Sequence, residues 1–466
     1  MEMPLAVRYT AEPKPVASSP WSTLAVAALA VFIVSLDTTV LFVAMPDIRR
    51  TFASVSASQL SWVLNAYTIG YGALLIPAGR LADRYGRRRF FVGGVAAFVV
   101  ASLACAFAPN VTALVAARAA QAVGAAALVP ASLALVLTAF PLERRGVVLG
   151  IWGAVGAVAS ALGPAIGSVV VDGFGWRWAF LINLPIGALA AVLGARRLGE
   201  SHGRDDTPSG DLGGTVLLVA ALAALAYGVI GVRAGSLAPV LGISGAAALV
   251  AFVVRTLRRA SPAVDLRLLL DRRRGSANAI TFAFGLGFAA MFFENVFFLT
   301  SRWHLSILRA GLFLSPGPLV VVPVAITAGR LASRVGLRPL LVLGGSSFAA
   351  GGVWLASIAP LPLDFLRLWL PGSVLLGAGI GLVMPSLSAG AVAGLPAERL
   401  ATASGINQAI RQLGSVLGVA LAVVLLGELD EHAHFARGYL LLVLSGVATA
   451  VGGATLSRAP GAPAAK

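Results

Sequence analysis

Four charged side chains interrupt long apolar segments of this chain: Asp37, Arg118, Glu294 and Arg411. A charged group inside a bilayer is costly, and such groups usually face a cavity and mark the path of an ion or a substrate. A carboxyl group in poorly hydrated surroundings can take up or release a proton when its hydration and its charged neighbours change. Asp37 and Glu294 are therefore candidate sites of proton exchange, with Arg118 as a charged neighbour.

The depth of each residue within its apolar segment predicts which of these groups can meet. At 1.5 Å per helical residue, Asp37 lies roughly 13 Å, Arg118 about 11 Å and Glu294 about 12 Å from one surface. Asp37 lies on the first helix of one half of the chain, and Glu294 lies on the first helix of a second, related half. We therefore expect the two acids at nearly equivalent positions that face a central cavity. Arg411 lies about 24 Å from that surface, too deep to bond to Glu294. The alternative for Asp37 is a fixed ion pair with Arg118 that only holds two helices together.

The composition identifies the elements that position these residues. The chain has 466 residues, of which 58% are hydrophobic and only 12% are charged, with a mean hydropathy of +0.90. Charged residues make up about 25% of a typical soluble protein. The sequence therefore predicts an all-α polytopic membrane protein.

Several other classes of function are excluded. The net charge of +16 comes from Arg in short loops between apolar segments, which fits membrane orientation and not a nucleic-acid partner. Lys14 and Lys466 are the only lysines, so the chain has no phosphate-binding GxxxxGK[ST] loop and ATP is not the direct energy source. The four His lie in predicted loops, and Cys105 is the only Cys. We therefore expect no metal, no cofactor except the proton, and no enzymatic activity.

Hydropathy predicts fourteen membrane-spanning helices. An orientation with both termini in the cytoplasm places most Lys and Arg on the cytoplasmic side of the inner membrane. The two inserted helices form an even pair, so both halves keep the same orientation. The predicted organisation is a cytoplasmic tail (1–20), a six-helix N-terminal bundle (21–199), a linker (200–211), two inserted helices (212–256), a basic cytoplasmic linker (257–275), a six-helix C-terminal bundle (276–456) and a cytoplasmic tail (457–466).

A charged turn occurs in each half of the chain. Residues 79–89 read GRLADRYGRRR between two apolar segments, and residues 329–339 read GRLASRVGLRP, with Ser333 where the first turn has Asp83. A repeat of this kind is typical of secondary transporters.

Four sequence stretches carry a resemblance to a known family. They are LDTTVLFVAMPDI (36–48), the turn at 79–89, RAAQAVGAAAL (118–128) and GAVASALGPAIGS (156–168), with Ala122 and Ser168 replacing two motif glycines. In this order the chain resembles the fourteen-span drug:proton antiporters of the major facilitator superfamily. The resemblance implies the major facilitator fold, with two pseudo-symmetric six-helix bundles plus two inserted helices.

The resemblance also implies roles for two groups of residues. In the first turn, Asp83 would contact the start of the span that opens near Ala401, and this contact would break when the cytoplasmic side opens; the other gate residues are Gly79, Arg84, Gly86, Arg87 and Arg88. In the fifth span, Gly156, Gly163, Pro164 and Gly167 would form the packing motif associated with antiport. The alternatives are that the arginines only set topology and that the glycines serve ordinary helix packing.

Further residues are candidates for lining a cavity, although each polar one among them also suits a structural hydrogen bond. Span nine is rich in Phe, which could bind a lipophilic cation through its ring faces. The candidates are Asn65, Tyr67, Asn183, Phe288, Met291, Asn407, Gln408 and Arg411.

The sequence thus predicts a monomeric, proton-coupled exporter of a lipophilic, cationic small molecule, working in the lipid bilayer by alternating access. The alternatives within this fold are an exporter of an endogenous metabolite and a proton symporter. A membrane sensor that does not transport is the alternative from another class.

Overall fold

The structure, a computed structural model, describes residues 19–141, 144–202, 211–230, 237–259, 266–395, 397–427 and 434–456. These ranges are helical and contain no β-strand. They form α1 (Pro20–Thr51), α2 (Ala57–Tyr85), α3 (Arg87–Ala106), α4 (Val111–Ala139), α5 (Arg145–Phe174), α6 (Trp178–Leu181), α7 (Asn183–Arg197), α8 (Leu212–Ile230), α9 (Leu237–Arg258), α10 (Arg272–Phe297), α11 (Ile307–Leu314), α12 (Pro316–Val335), α13 (Leu337–Ile358), α14 (Leu370–Val392), α15 (Ala397–Leu426) and α16 (Phe435–Thr455).

Helices form here because a bilayer offers no water to the backbone, so each segment must satisfy its own N–H and C=O groups. Polar side chains fix several helix starts. Ser56 and Gln59 form a reciprocal capping box at the start of α2, and Asn110 caps α4 by accepting a bond from Ala113 N. Asp271 accepts from Arg274 N at the start of α10. Such caps satisfy backbone N–H groups that have no partner within the helix.

Twelve helical segments of the described chain are long and apolar enough to cross a membrane, which makes this a multi-pass membrane protein. They include α6 with α7 as one segment and α11 with α12 as another. The predicted second and seventh spans are also helical, as α2 and α8, but they are not among the twelve. The apolar part of α8, Gly213–Val229, is shorter than the twelve segments, and polar residues such as Asn65 lower the hydropathy of α2.

The predicted domain boundaries differ from the structure mainly at the linkers. The basic linker predicted at 257–275 is partly helical, because α9 continues to Arg258 and α10 begins at Arg272. In the other linker, the described residues are Glu200 to His202 and Asp211; the rest of it falls outside the described residues, as do residues 1–18 and 457–466 of the predicted tails.

Each of the two charged turns has a glycine with a positive φ between two helices. Gly86 separates α2 from α3 with φ of 110°, and Gly336 separates α12 from α13 with φ of 77°. Only glycine adopts such angles without strain. We call the ends of the helices at these two turns the basic end of the molecule, and the ends at α11 and the start of α16 the opposite end.

Among the described residues, the N-terminal bundle (α1–α7) and the C-terminal bundle (α10–α16) contact each other through several pairs of helices. Gly72 of α2 lies against Gln412 of α15, where a Cβ on the glycine would be 2.9 Å from the Gln412 Cβ. Gly311 of α11 lies against Ser168 of α5. Between them, Phe42 of α1 stacks on Phe292 of α10 with ring centroids 5.4 Å apart.

The inserted helices pack beside this interface. α8 contacts both α2 and α15, and its buried Leu218 and Leu222 share an apolar cluster with Ile69 and Ile406. At the basic end Asp211 joins the two inserted helices, accepting bonds from Arg255 at 2.8 Å and Arg259 at 3.0 Å. The Arg255 side chain lowers the pKa of the Asp211 carboxyl.

Candidate functional site

Asp37 lies on α1 and is bonded on both carboxyl oxygens. Arg118 of α4 donates to Oδ2 at 2.7 Å, while Gln121 and Asn183 donate to Oδ1 at 2.9 Å and 2.7 Å. Ser102 of α3 completes the group, accepting from Gln121 at 2.8 Å. Since every partner belongs to the N-terminal bundle, the network joins α1, α3, α4 and α7 of that bundle.

Arg118 is held by further contacts, although its side chain is only 1% exposed. Its Nε donates to the carbonyl of Val63 at 3.2 Å, and its guanidinium lies 4.0 Å from the ring centre of Tyr67. A buried charge needs such pairing and hydrogen bonding to be tolerated. In this conformation the pair therefore has the form of the fixed ion pair that the sequence offered as the alternative reading.

Gln121 and Ser102 were missed by the sequence reasoning. Gln121 follows Arg118 by three residues, and residues at that spacing share a helix face. That spacing, read beside the buried Arg118, could have identified Gln121. No such signal exists for Ser102, because only the packing of α3 against α4 brings it to the site.

Glu294 of α10 has the opposite environment. Its side chain is 0% exposed, and neither carboxyl oxygen has a hydrogen-bond partner among the described residues. A Cβ added to Gly438 would lie 2.8 Å from Glu294 Oε1 and 3.0 Å from a methyl carbon of Leu426. Because an ionised carboxylate in such a place would be very costly, the site favours the neutral, protonated acid.

The structure differs from the expectation that Asp37 and Glu294 face a central cavity. Glu294 faces Gly438 of α16, whereas Phe292, two residues earlier on α10, faces the N-terminal bundle. Asp37 likewise faces Asn183 of α7. The two acids are nonetheless related, since each lies where the first and the last helix of its bundle meet. Depth along a helix sets the level of a side chain but not the direction in which it points.

Three polar candidates lie on α15 of the C-terminal bundle. Asn407 donates to Asn278 at 3.0 Å and to Thr281 at 2.9 Å, so its amide joins α10 to α15. Arg411 bonds to Gln408 on the same helix and lies 3.6 Å from the sulfur of Met384. In the described part of the chain, no hydrogen bond joins Arg411 to Glu294.

Of the remaining cavity candidates, Phe288 is partly buried and the others are buried. Asn65 is fully buried with both amide atoms unpaired, and the Tyr67 hydroxyl and the Asn183 Oδ1 also have no partner among the described residues. Asn65 shares a face of α2 with Gly72, two turns away, and therefore points towards the C-terminal bundle. Phe288 packs between Phe284 and Phe292, and Met291 is buried among the apolar residues of the same bundle.

The gate residues of the first turn are bonded within their own bundle. Asp83 accepts from Arg87 Nε at 2.6 Å across the turn, and Gly79 lies against Pro130 of α4. Arg84 is exposed and lies 5.4 Å from the ring centre of Tyr85. The side chains at the start of α15, around Ala401, lie outside the described residues, so the expected contact of Asp83 with them remains a prediction.

Glu200 also holds the turn and was missed by the sequence reasoning. It accepts from Arg88 N at 3.0 Å, and a Cβ on Gly86 would lie 2.7 Å from its Oε1. Arg88 further donates to the carbonyl of Ala195, and Ser201 accepts from Arg87 N at 3.0 Å. Residues at the end of the N-terminal bundle thus hold the turn in place, although they follow it by more than a hundred positions in the chain.

The glycines of the antiport motif lie against α1. A Cβ on Gly163 would be 1.8 Å from Thr39 Oγ1, and one on Gly167 would be 3.1 Å from Val40 Cα. Gly156 meets Val31 in the same way at 2.8 Å. Pro164 lies on the other side of α5, where its carbonyl would be 2.7 Å from a Cβ on Gly311 of the C-terminal bundle. α5 therefore joins the two bundles at the opposite end.

The described residues contain no group of three or more His, Cys, Asp or Glu that could hold a metal ion. The chemistry that this arrangement offers is proton binding at buried carboxyls.

Comparison with known proteins gives the family. The family model described as Major Facilitator Superfamily matches residues 27–419. The multidrug resistance protein Stp of Mycobacterium tuberculosis (strain CDC 1551 / Oshkosh) is 35% identical over 426 residues, covering 88% of this chain and 77% of that protein. The puromycin resistance protein pur8 of Streptomyces alboniger is also 35% identical, covering 86% of this chain and 80% of that protein.

A further relative and a solved structure agree with these matches. The methyl viologen resistance protein SmvA of Salmonella typhimurium (strain 14028s / SGSC 2262) is 33% identical, covering 88% of this chain and 83% of that protein. A POT family transporter solved in complex with a thioalcohol conjugated peptide shares the fold, with a TM-score of 0.67 at 14% identity over 92% of this chain and 94% of that chain. The chain therefore belongs to the major facilitator superfamily.

Proposed function

We propose that this protein is a drug efflux transporter that exports lipophilic, cationic compounds in exchange for protons by alternating access. Its relatives are named for resistance to multiple drugs, to puromycin and to methyl viologen. The observation that carries the coupling is Glu294, a fully buried carboxyl whose oxygens have no partner among the described residues. A site of this kind holds a proton in one conformation and releases it when water or a cation reaches it.

The orientation follows from charge. The turns at Gly86 and Gly336 carry clusters of Arg, and positively charged loops stay on the cytoplasmic side. In this proposal the protein lies in the inner membrane. Its basic end and both termini face the cytoplasm, and its opposite end faces outward. α2 and α8 complete fourteen spans, since their 29 and 19 residues reach roughly 44 Å and 28 Å as helix.

The two buried acids have different tasks in this proposal. Asp37 is held within the N-terminal bundle in the described conformation, because Arg118, Gln121 and Asn183 all donate to it. Glu294 has no donor and carries the exchanging proton. Rocking of the bundles exposes Glu294 first to the outer side, where it binds a proton, and then to the cytoplasm. Each proton moved inward gains about 2.3 kcal/mol per 100 mV of membrane potential.

The cargo enters between the bundles in this proposal. Phe42 and Phe292 stack across that boundary, and Phe288 lies next to Phe292. The faces of such rings attract a cation that has lost its water. Asn65, buried with both amide atoms unpaired on the face of α2 that meets the C-terminal bundle, offers the cargo one donor and one acceptor.

The cytoplasmic gate acts through the first turn. Asp83 is paired with Arg87 here, and its side chain is 30% exposed, so it can change partners. We expect it to alternate between Arg87 and the N-terminus of α15, where unpaired N–H groups stabilise a carboxylate. Gly72 and Gln412 keep α2 and α15 close enough for this contact.

Transport by purified protein in liposomes tests this function. An imposed proton gradient should drive ethidium, a fluorescent lipophilic cation, in the direction opposite to the proton flow. This movement should stop when a protonophore removes the gradient. Movement in the same direction as protons would favour the symporter instead. If ethidium and other cations fail but a metabolite is moved by the gradient, the endogenous exporter is favoured. Absence of any gradient-dependent movement would favour the sensor.

A further inference from the structure

The neighbours of Glu294 on α16 suggest how its proton arrives. Gly438 leaves space for the carboxyl, since a Cβ at this position would lie 2.8 Å from Oε1 and 3.0 Å from the carboxyl carbon. The next residue, Tyr439, is fully buried, and its hydroxyl has no hydrogen-bond partner among the described residues. A buried hydroxyl without a partner is costly, which calls for an explanation.

The position of Tyr439 places it between Glu294 and the outer surface. α16 begins at Phe435, beside the exposed His434, so Tyr439 lies roughly 6 Å from the outer end of its helix. Glu294 lies about 12 Å from the outer end of its own segment. The ring of Tyr439 packs against Phe298, which lies one helical turn nearer the outer end of α10 than Glu294.

Aromatic rings exclude bulk water from this region. Phe298 contacts Tyr439 with ring centroids 5.9 Å apart and Phe435 at 5.2 Å, and both contacts are edge to face. Phe298 also stacks on Trp369 at 5.9 Å. A proton that reaches Glu294 from outside cannot travel through open water here, so it needs a polar group along its way.

Among the side chains that the structure describes on the surrounding helices, no other ionisable group is placed for this task. Those on the elements packed against α10 are bonded elsewhere or exposed: Asp37 of α1 is bonded to Arg118, Arg411 of α15 to Gln408, and Arg302 to the carbonyls of Ala359 and Pro360, while Arg309 of α11 and Arg437 of α16 are exposed. The described part of α14 carries none. Arg272 to Arg274 of α10 itself lie at the basic end.

We propose that Tyr439 relays protons between the outer side and Glu294, and that Gly438 provides the space in which the carboxyl meets this relay. The inference rests on the proposed function of Glu294. In the relay, a hydronium ion on the outer side gives a proton to the Tyr439 oxygen while the hydroxyl proton of Tyr439 passes to Glu294, directly or through one water. One O–H bond breaks and one forms at Tyr439, so the net change is hydronium and carboxylate to water and carboxylic acid.

Substitution of Tyr439 by Phe tests the relay, because the ring and its packing are kept. In liposomes with a pH-sensitive dye, we expect proton uptake driven by cargo efflux to fall at least about tenfold, as is common when a proton-transfer group is lost. Exchange of labelled for unlabelled cargo without a proton gradient should remain at the wild-type rate. Tyr227→Phe, on the exposed face of α8, is the matched control and should leave both rates unchanged.

Gly438→Ala provides a second variant. The added Cβ must displace the Glu294 carboxyl, so we expect a shifted dependence of efflux on the outer pH. Gly452→Ala on the same helix is the control, because its Cβ would meet Cγ1 of Ile280 at 2.7 Å and not a carboxyl.

The outcomes separate the relay from the proposed function. If Glu294→Gln keeps normal proton coupling, the function proposed for Glu294 is wrong. If Glu294→Gln is uncoupled while Tyr439→Phe takes up protons at the normal rate, only the relay is wrong. If Tyr439→Phe slows cargo exchange as much as proton uptake, Tyr439 has a structural role and the relay is again wrong.

Discussion

The guanidinium of Arg118 lies 2.7 Å from Oδ2 of Asp37, and both side chains are only 1% exposed. The pair joins α1 to α4 inside one bundle and compensates the charge of Asp37. Glu294, at the related place in the other bundle, has no such partner among the described residues. In the proposed mechanism, this difference gives Asp37 a structural task and Glu294 the exchanged proton.

Removing the charge of Asp37 should destabilise the N-terminal bundle. Asp37→Asn leaves Arg118 buried without its counter-ion, and breaking a buried pair in this way costs about 3–5 kcal/mol. We expect a marked fall in thermal stability in detergent, together with loss of proton-driven efflux by the protein that still inserts. The double variant Asp37→Asn with Arg118→Gln removes both charges and should recover part of the stability. A single variant as stable as the wild type would contradict this account.

Substitution of a glycine on α5 by Ala should be harmful at Gly163 and harmless at Gly153. A Cβ at Gly163 would lie 1.8 Å from Thr39 Oγ1, whereas nothing lies within 4 Å of one at Gly153. Overpacking of this kind costs about 1–3 kcal/mol. Gly163→Ala should therefore lower the thermal stability and slow transport, while Gly153→Ala on the same helix should do neither. Equal effects of the two variants would exclude close packing against α1 as the role of this face.

Asp83→Asn should slow turnover more than it weakens cargo binding. The substitution weakens the bond to Arg87 and the contact expected with the start of α15, and neither of these touches the cargo. Transport rate and equilibrium binding of ethidium, measured on the same preparation, check this. Arg89→Gln is the control, since the Arg89 side chain is 80% exposed and its nearest carboxyl oxygen is 3.8 Å away. An unchanged transport rate in Asp83→Asn would contradict the proposed role of Asp83 in the cytoplasmic gate.

The link between the inserted helices should depend on pH through Asp211. Arg255 lowers the pKa of Asp211 in the folded protein, so the stabilisation is present above the ordinary Asp pKa and is lost as the pH falls through the lowered value. At pH 7 we expect Asp211→Asn to cost about 1 kcal/mol, because Arg255 and Arg259 are partly exposed. The difference in melting temperature between the variant and the wild type should shrink as the pH falls below the ordinary pKa of Asp. A difference that persists at low pH would show that the bond is not the cause.

Much of the fold was predictable from the sequence, because apolar segments in a membrane must become helices. Twelve of the predicted spans appear as apolar helices, and the two Gly turns separate helices in both halves. The predicted shared level of Asp37 and Arg118 agrees with their bond of 2.7 Å. Helical rise alone fixes this level, and no tertiary contact is needed to derive it.

The direction of each side chain could not be predicted in the same way. Glu294 faces Gly438 and not the other bundle, because rotation of α10 is set by its packing against α15 and α16. Glu200 lies over the Gly86 turn only because the end of the N-terminal bundle returns to α3. Ser102 reaches the Asp37 network for a similar reason. These relationships arise from contacts between distant parts of the chain.

The central claim is that Glu294 carries the exchanged proton. Protein in detergent at low buffer strength is mixed with ethidium, and proton release is followed with a pH-sensitive dye for the wild type and for Glu294→Gln. Because neither carboxyl oxygen has a partner among the described residues, the variant should keep the wild-type melting temperature. The account predicts proton release from the wild type and none from the folded variant. Equal proton release from both proteins would contradict it.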